Sequence, residues 1–323
     1  MMNKKDLIIG VDFGATFIKV GLLDIHGHIV RKSAFSSKGY ISRDKLIERI
    51  ALEVNTIMAS ERPRVLGLGA GVPGPVDYKR GVIYGLTNVK GWRNVPLRDI
   101  LRKRIGMRVF IDNDANAACA GEARWGAGKG YRDIVCITLG SGVGTAVIID
   151  GKLYRGRGYS AAEMGHICID RNGPRCNCGA KGCIETFLGN SYIVKAAVKD
   201  LKQGKRSVLL KLADDKYSNI TPKLIDQAAR MGDKFCIDIW KQAGENLGIG
   251  LTGIVNTFNP EIIVIGGGLS KAGEMLFGSV RETVKRRAMK VFTGDLKIKR
   301  ARFIEDAGTF GAAALATLSL RTL

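Results

Sequence analysis

Shifting this sequence along itself by 126 positions lays Asp12 on Thr138, Gly14 on Gly140 and Asp24 on Asp150. In the first register, Leu7–Val11 leads through Asp12-Phe13-Gly14-Ala15-Thr16 into Ile18–Leu23, and Asp24-Ile25-His26-Gly27 turns into Ile29–Ser33. In the second, Ile134–Leu139 leads through Gly140-Ser141-Gly142-Val143-Gly144 into Thr145–Ile149 and the turn Asp150-Gly151. Both copies read as strand, glycine turn, strand, turn. The offset predicts two duplicated halves, each presenting a glycine turn to a shared cleft. A chain of 323 residues gives each half room for its own core.

What the turns contain narrows the chemistry. A polyphosphate needs close backbone N–H donors and hydroxyls, which require small residues at a turn's tip. It also needs a carboxylate to hold Mg²⁺, usually through water. Gly14, Thr16, Thr138, Gly140, Gly142 and Thr145 meet the first need and Asp12 the second. A plain hairpin accounts for either turn alone; two in register point to polyphosphate. There is no GxxxxGK[ST]. Gly69–Gly74 matches GxGxxG, but Pro73 and Pro75 fall where a dinucleotide fold needs a helix, so that match is spurious.

A second constraint lies at Ala161–Thr186, AAEMGHICIDRNGPRCNCGAKGCIET. Cys176, Cys178 and Cys183 lie within eight residues, and His166 is ten positions before the first of them. Three thiolates and an imidazole complete a tetrahedral zinc shell with no place for water, the mark of a structural metal. Gly173, Gly179 and Gly182 let so short a loop fold tightly. Glu163 and Glu185 flank the cluster and could accept hydrogen bonds from hydroxyls. Cys119, Cys136, Cys168 and Cys236 read as apolar fillers.

Seven cysteines, an odd number with a metal-like cluster among them, predict a reducing compartment. MMNKKDLIIGVDFG is no signal peptide, and no run approaches the ~18 apolar residues of a membrane span. The expectation is a cytoplasmic protein with no membrane partner. With 51 basic and 30 acidic residues, the net charge of +21 attracts polyanions. The densest basic runs, Arg98–Arg108 and Arg281–Arg302, interleave with apolar residues at helical or strand spacing. They therefore read as solvated faces of ordinary elements, not as a nucleic-acid surface.

Further elements frame the remaining candidates. Leu46, Ile47, Ile50, Ala51, Val54, Ile57 and Met58 form one helical stripe. Strand Val65–Gly69 ends in a rigid turn, Gly71–Asp77. Val109–Ile111 ends in Asp112-Asn113-Asp114-Ala115-Asn116 and an alanine-rich helix, where Asp114 could be a helix cap or a general base. Ser191–Asp215 reads as helical, and Tyr217–Met231 as a short helical insertion. Phe235, Ile239, Ala243, Leu247, Leu251 and Val255 recur every four residues in a long helix. Gly266-Gly267-Gly268 follow strand Ile262–Ile265, either as a turn or as a close approach to a flat ligand. Asp306–Gly311 opens a last helix.

The cysteine block resembles the CxCGxxGCxE signature of the ROK sugar kinases and repressors, and the preceding AAEMGH resembles their xGExGH. Ala162 stands where that family usually has glycine, a change expected to leave Glu163 and His166 undisturbed. The resemblance spans Leu7 to Leu318, and the paired turns are similar to the phosphate loops of the actin–hexokinase–Hsp70 superfamily. It implies an α/β, two-domain actin-like ATPase (ribonuclease H-like) fold with a deep interdomain cleft and a zinc-binding loop. The implied domains are 1–118 plus 308–323, and 119–307.

Similarity to the family's NDxNAA motif makes Asp114 the base and Asn113 a hydroxyl-binding amide. The resemblance adds Glu163, His166 and Glu185 as grips on sugar hydroxyls, and Gly74 as a backbone contact, with Thr87 and Asn88 reaching the same pocket. Asp12, Gly14, Thr16, Lys19, Thr138, Gly140 and Gly142 would hold ATP phosphates and Mg²⁺, and Gly266, Gly267 and Gly268 the adenosine. His166, Cys176, Cys178 and Cys183 would hold structural Zn²⁺.

The implied reaction is transfer to the 6-hydroxyl of a hexose, glucose first, since GLTNVKGWRNVPL resembles the glucokinase branch. N-acetylmannosamine, N-acetylglucosamine, fructose or allose, and polyphosphate as donor, are the alternatives within the family. A sugar-sensing repressor is another, although its DNA-reading domain would have to precede Asp12. Family members are commonly homodimers or homotetramers.

Overall fold

The computed structural model describes residues 6–14, 16–38, 42–59, 61, 64–86 and 91–321. Thr87 and Asn88, expected near a sugar pocket, lie outside them. The chain opens with β1 (Leu7–Phe13), β2 (Phe17–Asp24), β3 (Ile29–Ser36), α1 (Arg43–Met58) and β4 (Val65–Val72). A small meander, β5 (Val76–Asp77), β6 (Val82–Gly85) and β7 (Arg93–Val95), leads to α2 (Leu97–Ile105), β8 (Val109–Asn113) and α3 (Asp114–Trp125). The pattern then restarts with β9 (Ile134–Leu139), β10 (Val143–Ile149) and β11 (Lys152–Tyr154). Helices α4 (Glu185–Leu188), α5 (Asn190–Lys202), α6 (Leu209–Leu212), α7 (Pro222–Arg230) and α8 (Lys234–Phe258) follow. The chain ends with β12 (Ile262–Gly266), α9 (Glu274–Arg287), α10 (Lys290–Thr293), β13 (Lys297–Arg300) and α11 (Ala307–Arg321).

Two five-stranded sheets share one order, β3-β2-β1-β4-β8 and β11-β10-β9-β12-β13. In the first, β1, β2 and β3 pair antiparallel while β4 and β8 add in parallel. In the second, β10 and β11 are antiparallel, and β9, β12 and β13 run parallel. The repeat is exact in topology: Asp12 pairs with Gly71 where, in the other sheet, Thr138 pairs with Gly266.

The chain divides into two compact units, Met1–Arg132 with Ala146–Ala162 and Ala301–Leu323, and Asp133–Thr145 with Glu163–Arg300. The expected break at 118 would have cut α3. The whole helix instead stays in the first unit, because Gly121 meets Gly311 of α11 closely enough that a Cβ would lie 2.9 Å from the Gly311 nitrogen. Hairpin 146–162 joins the first unit as well, anchored where Arg155 reaches Asp112.

In the first unit the sheet is covered on both faces, so its strands read as near-continuous apolar runs. Leu7, Ile9, Val11 and Phe13 of β1 face α1 and α2, and the seven-residue stripe foreseen on α1 is its buried set. The opposite face carries α3 and α11, and there the strands present glycine. Gly21, Gly10 and Gly69 are direct cross-strand partners on β2, β1 and β4. A Cβ on Gly10 would stand 2.1 Å from the Thr309 carbonyl oxygen, and one on Gly69 1.7 Å from that of Ala312. This row of missing side chains lets α11 rest on the sheet backbone itself. On α2, Leu97, Leu101 and Ile105 turn inward while Arg102, Lys103 and Arg104 are exposed, as a solvated basic face requires.

The second unit is built on α8 and α9. Of the stripe expected on α8, Ala243, Leu247, Leu251 and Val255 are buried, together with Cys236, Trp240 and Ile254, while Phe235 and Ile239 are only half-buried. A repeat of four drifts about 40° per step on a helix of 3.6 residues per turn, so the first two positions of the stripe fall at the edge of the buried face. Gly244 and Gly248 bring α9 close: a Cβ on either would meet the Leu276 carbonyl oxygen at 2.4 Å or Thr283 at 2.5 Å. Arg281, Arg286 and Arg287 are exposed, Arg286 reaching Glu245 at the rim of that contact at 3.3 Å, again a solvated face. The helix expected over Ser191–Asp215 is two, α5 and α6, parted at Gly204, whose φ is +93°. Among the described residues no helix is long and apolar enough to cross a membrane.

Gly69→Ala should lower the urea midpoint at unchanged m-value, a stability loss of about 1–3 kcal/mol, because the new methyl meets backbone. Gly253→Ala, where an added Cβ meets nothing, should instead stabilise by about 0.5–1 kcal/mol. Equal midpoints for the two variants would refute the glycine-row packing.

Candidate functional site

In the first unit three acids stand at the ends of β1 and β8, the two strands that flank β4, or begin a helix. Asp12 lies opposite Lys19 on β2 and Gly71 on β4. Its carboxylate rests against the first turn of α11, where a Cβ on Gly308 would come within 2.2 Å of the Asp12 Cγ. Burial pushes the Asp12 carboxyl above its ordinary value; the Lys19 ammonium pulls it down and Asp306 pushes it up. Lys19 Nζ also donates to the Glu305 carbonyl. An acid so confined suits a cation held at the end of a strand. Gly14 is required in the following turn, since a Cβ would stand 2.5 Å from the Phe17 carbonyl oxygen. Thr16 is exposed there, and its carbonyl accepts from the Ser37 N–H at 2.9 Å.

Strands β4 and β8 end side by side, with Gly71 paired to Asp112 and Val72 to Asn113. The helix cap belongs to Asn113: its Oδ1 accepts from the N–H groups of Ala115 at 2.8 Å and Asn116 at 3.3 Å. Its Nδ2 donates to the Gly74 carbonyl at 3.2 Å, leaving a second amide hydrogen for another acceptor. Gly74 must be glycine, with φ +86° and the Gly85 carbonyl oxygen 2.6 Å from any Cβ. Asp114 is the first residue of α3, exposed, its Oδ1 accepting from the Ala115 N–H at 2.9 Å. An ionised carboxylate is favoured at a helix start. Gly74, Asn113 and Asp114 are thus brought together.

Sequence reasoning missed Asp112 and Arg155. The buried Asp112 carboxylate takes Arg155 on one oxygen, and the Asn113 N–H and Asn116 amide on the other. Asp112 stood in plain view beside Asn113; Arg155 was one of 51 basic residues with no local signal.

In the second unit the Gly140 N–H closes its turn on the Gly142 carbonyl at 3.0 Å. A Cβ on Gly140 or Gly268 would meet nothing, so both glycines leave open space above the backbone. Gly267, φ +82°, is glycine because a Cβ would lie 2.2 Å from the Leu139 carbonyl oxygen. The close approach there is to β9, whose Thr138 pairs with Gly266, so the glycine triplet sits beside the second turn. Thr145, counted among the phosphate hydroxyls, is buried, and its Oγ1 accepts from the Met164 N–H at 3.0 Å.

The cysteine loop closes as foreseen. His166, Cys176, Cys178 and Cys183 place one donor atom each within 4.8 Å of all the others. His166 Nδ1 is 3.6 Å from the Cys176 Sγ, and the Cys178 and Cys183 sulfurs are 3.7 Å apart. A tetrahedral ion with thiolate bonds of about 2.3 Å has S–S edges of about 3.8 Å, so the donor set is already at metal-binding size. Because Nδ1 faces the thiols, Nε2 is the ring nitrogen left for other partners. Burial pushes the Cys183 thiol up to about 12 and raises Cys176, while the Ala180 N–H lowers Cys178. Gly182 is indispensable: φ is +67° and a Cβ would stand 1.6 Å from the Asp170 carbonyl oxygen.

Glu185, at the start of α4, bridges two features. Its Oε2 accepts from the Val143 N–H at 3.1 Å, and its Oε1 lies 3.6 Å from the Cys176 sulfur. Glu163 is exposed two residues before Gly165, next to Ala162. Ala162 has φ +68°. Its substitution for glycine is therefore not free, since a left-handed alanine costs about 1–2 kcal/mol. Cys168, expected as an apolar filler, is exposed, its backbone forming an isolated antiparallel β-bridge with that of Cys183; Cys119, Cys136 and Cys236 are buried as expected.

The model of the ROK family matches residues 8–318. A glucokinase of Thermotoga maritima is 39% identical over 308 residues, covering 95% of this chain and 96% of its own. A xylose repressor of Caldicellulosiruptor bescii is 32% identical over 317 residues, 95% of this chain and 77% of the repressor. The crystal structure of a ROK family glucokinase from Streptomyces griseus in complex with glucose and AMPPNP superposes with a TM-score of 0.83. It is 34% identical, over 97% of this chain and 99% of that one.

The raised Asp12 carboxyl fixes the sign of one pH effect. The folded state holds its proton to higher pH than the unfolded chain, so stability falls as pH rises through the window between the two pKa values. Asp12→Asn should therefore melt above wild type at pH 7, with the gap narrowing toward pH 4. A lower melting temperature at pH 7 would contradict the burial of this charge.

Proposed function

The chain belongs to the ROK family and is a sugar phosphotransferase, and from that premise we propose that it transfers the γ-phosphate of ATP to the 6-hydroxyl of glucose. The observation that carries the reading is the grouping of Gly74, Asn113 and Asp114 where β4 and β8 end. Asp114 is exposed on a helix start, where a carboxylate is favoured, and is placed to accept the hydroxyl proton as the sugar oxygen attacks phosphorus. Proton acceptance of this kind contributes ~10²–10⁴-fold. The second amide hydrogen of Asn113 and the backbone at Gly74 orient the sugar, which contributes more than the proton transfer.

Glu163, His166 Nε2 and Glu185 accept from or donate to further hydroxyls. His166 keeps one tautomer because its Nδ1 is committed to the thiols. Zn²⁺ at the His166, Cys176, Cys178 and Cys183 donors would stiffen this loop without joining the chemistry. Asp12, with Lys19, Gly14 and Thr16, is the partner for Mg²⁺ and phosphate in the first unit. Thr138, Gly140 and Gly142 hold phosphate in the second, with Gly266, Gly267 and Gly268 alongside for the adenosine. Mg²⁺, when bound, neutralises charge on the transferring group.

The xylose repressor relationship supports a second reading, a sugar-sensing regulator that binds sugar without phosphorylating it. A coupled assay of glucose, N-acetylmannosamine, N-acetylglucosamine, fructose, allose and xylose against ATP and polyphosphate separates the two. ATP-dependent turnover highest with glucose is expected; sugar binding with no turnover on any pair would favour the regulator.

Asp114→Ala should abolish transfer and leave glucose affinity nearly intact; a variant keeping about a tenth of wild-type turnover would exclude Asp114 as the base. Cys178→Ser should release about one equivalent of zinc by elemental analysis and weaken sugar binding. Unchanged metal content would reject the cluster.

A further inference from the structure

Arg155 and Asp112 form an enclosed ion pair, with side-chain exposures of 18% and 3%. Asp112 Oδ2 receives Arg155 Nε at 2.7 Å and a second guanidinium nitrogen at 2.6 Å. Asp112 Oδ1 receives the Asn113 N–H at 2.8 Å and the Asn116 side-chain amide at 2.9 Å. The remaining terminal nitrogen of Arg155 donates to the Leu153 carbonyl at 3.3 Å, and its plane lies 4.1 Å from the Tyr78 ring centroid. Tyr78 in turn meets Tyr159 edge-on at 5.2 Å. The carbonyl of Arg155 accepts from the Ala161 N–H at 3.2 Å, closing the loop that runs on through Ala162 to Glu163.

The geometry assigns Arg155 as a positioning residue for the transfer, acting on Asp114 through Asp112. This rests on the reading of Asp114 as the base. Asp112 grips positions 113 and 116, on either side of Asp114, so its carboxylate sets where α3 begins. A carboxylate this buried keeps its charge and aim only while the bidentate guanidinium neutralises it. Without Arg155 the carboxylate is left buried with no guanidinium beside it, and its grip on both amides slackens. The Asp114 carboxylate then loses its fixed place. Lysine cannot replace the fork, since its point charge spans only one of the two bonds and does not stack on Tyr78.

The test measures kcat and both KM values for Arg155→Met and Arg155→Lys, using ATP and the sugar that wild type phosphorylates best. Arg155→Met should lower kcat about 10²-fold, the effect of a misplacement near 1 Å, with KM for ATP unchanged. Arg155→Lys should fall between it and wild type. Millimolar guanidinium ion should restore turnover to Arg155→Ala but not to Asp114→Ala, a rescue that general destabilisation would not give. Should Arg155→Met fail to fold, Arg155→Met with Asp112→Asn, which buries no lone charge, should fold and stay slow. Wild-type kcat in any folded variant lacking Arg155, or a KM for ATP that rises in step with the loss of kcat, would overturn the proposal. Asp114→Ala assayed alongside separates the premises. An active Asp114→Ala removes the base and this role together; an inactive one beside an unimpaired Arg155→Met removes Arg155 alone.

Discussion

Contact between α11 and the bare backbone of the first sheet governs where the acids of the first unit stand. Gly21, Gly10 and Gly69 form one cross-strand row, and only with no Cβ along it can the helix descend to van der Waals distance of the strands. Once seated, α11 brings Gly308 against the Asp12 carboxylate and Gly311 against α3. The helix that carries Asp114 and the strand that carries Asp12 are thereby referenced to the same element. Interiors packed this closely have few alternative arrangements, which favours a fixed site over an adjustable one.

Much of this was legible in the sequence, and what was not has a common cause. The 126-residue offset anticipated two sheets of one order, the α1 stripe matched its buried set, and the cysteine spacing anticipated four converging donors. Those signals are local or repeat themselves. The glycine row is not local: Gly10 and Gly69 look like ordinary strand glycines until a helix some 300 residues from the first of them is laid across both. Arg155 is hidden likewise, since nothing near it in the chain announces a partner at Asp112. The α8 stripe was met at Ala243, Leu247, Leu251 and Val255 but not at Phe235 and Ile239, because a repeat of four drifts across a helical face. Ala162 looked like a small change until its positive φ showed that the backbone there asks for glycine.

Three neighbouring acids show how one chemical group is given three behaviours. Asp12 is confined beside Lys19 and Gly308, and burial works against its charge, a cost that a bound cation would relieve. Asp112 is more deeply buried but faces a cation, with both oxygens taken up by Arg155, Asn113 and Asn116, which makes it a structural clamp. Asp114 is exposed at a helix start, where its Oδ1 accepts from the Ala115 N–H and the helix dipole favours a carboxylate. Environment, not residue type, divides the labour among them.

Glu185 touches both the Val143 amide at the foot of the second glycine turn and the Cys176 sulfur of the metal loop. The two features therefore have a common tether, and slack introduced at one end is transmitted to the other. Loosening of the cysteine loop would therefore reach the hairpin at Gly142, whose backbone leaves no space between itself and that carboxylate.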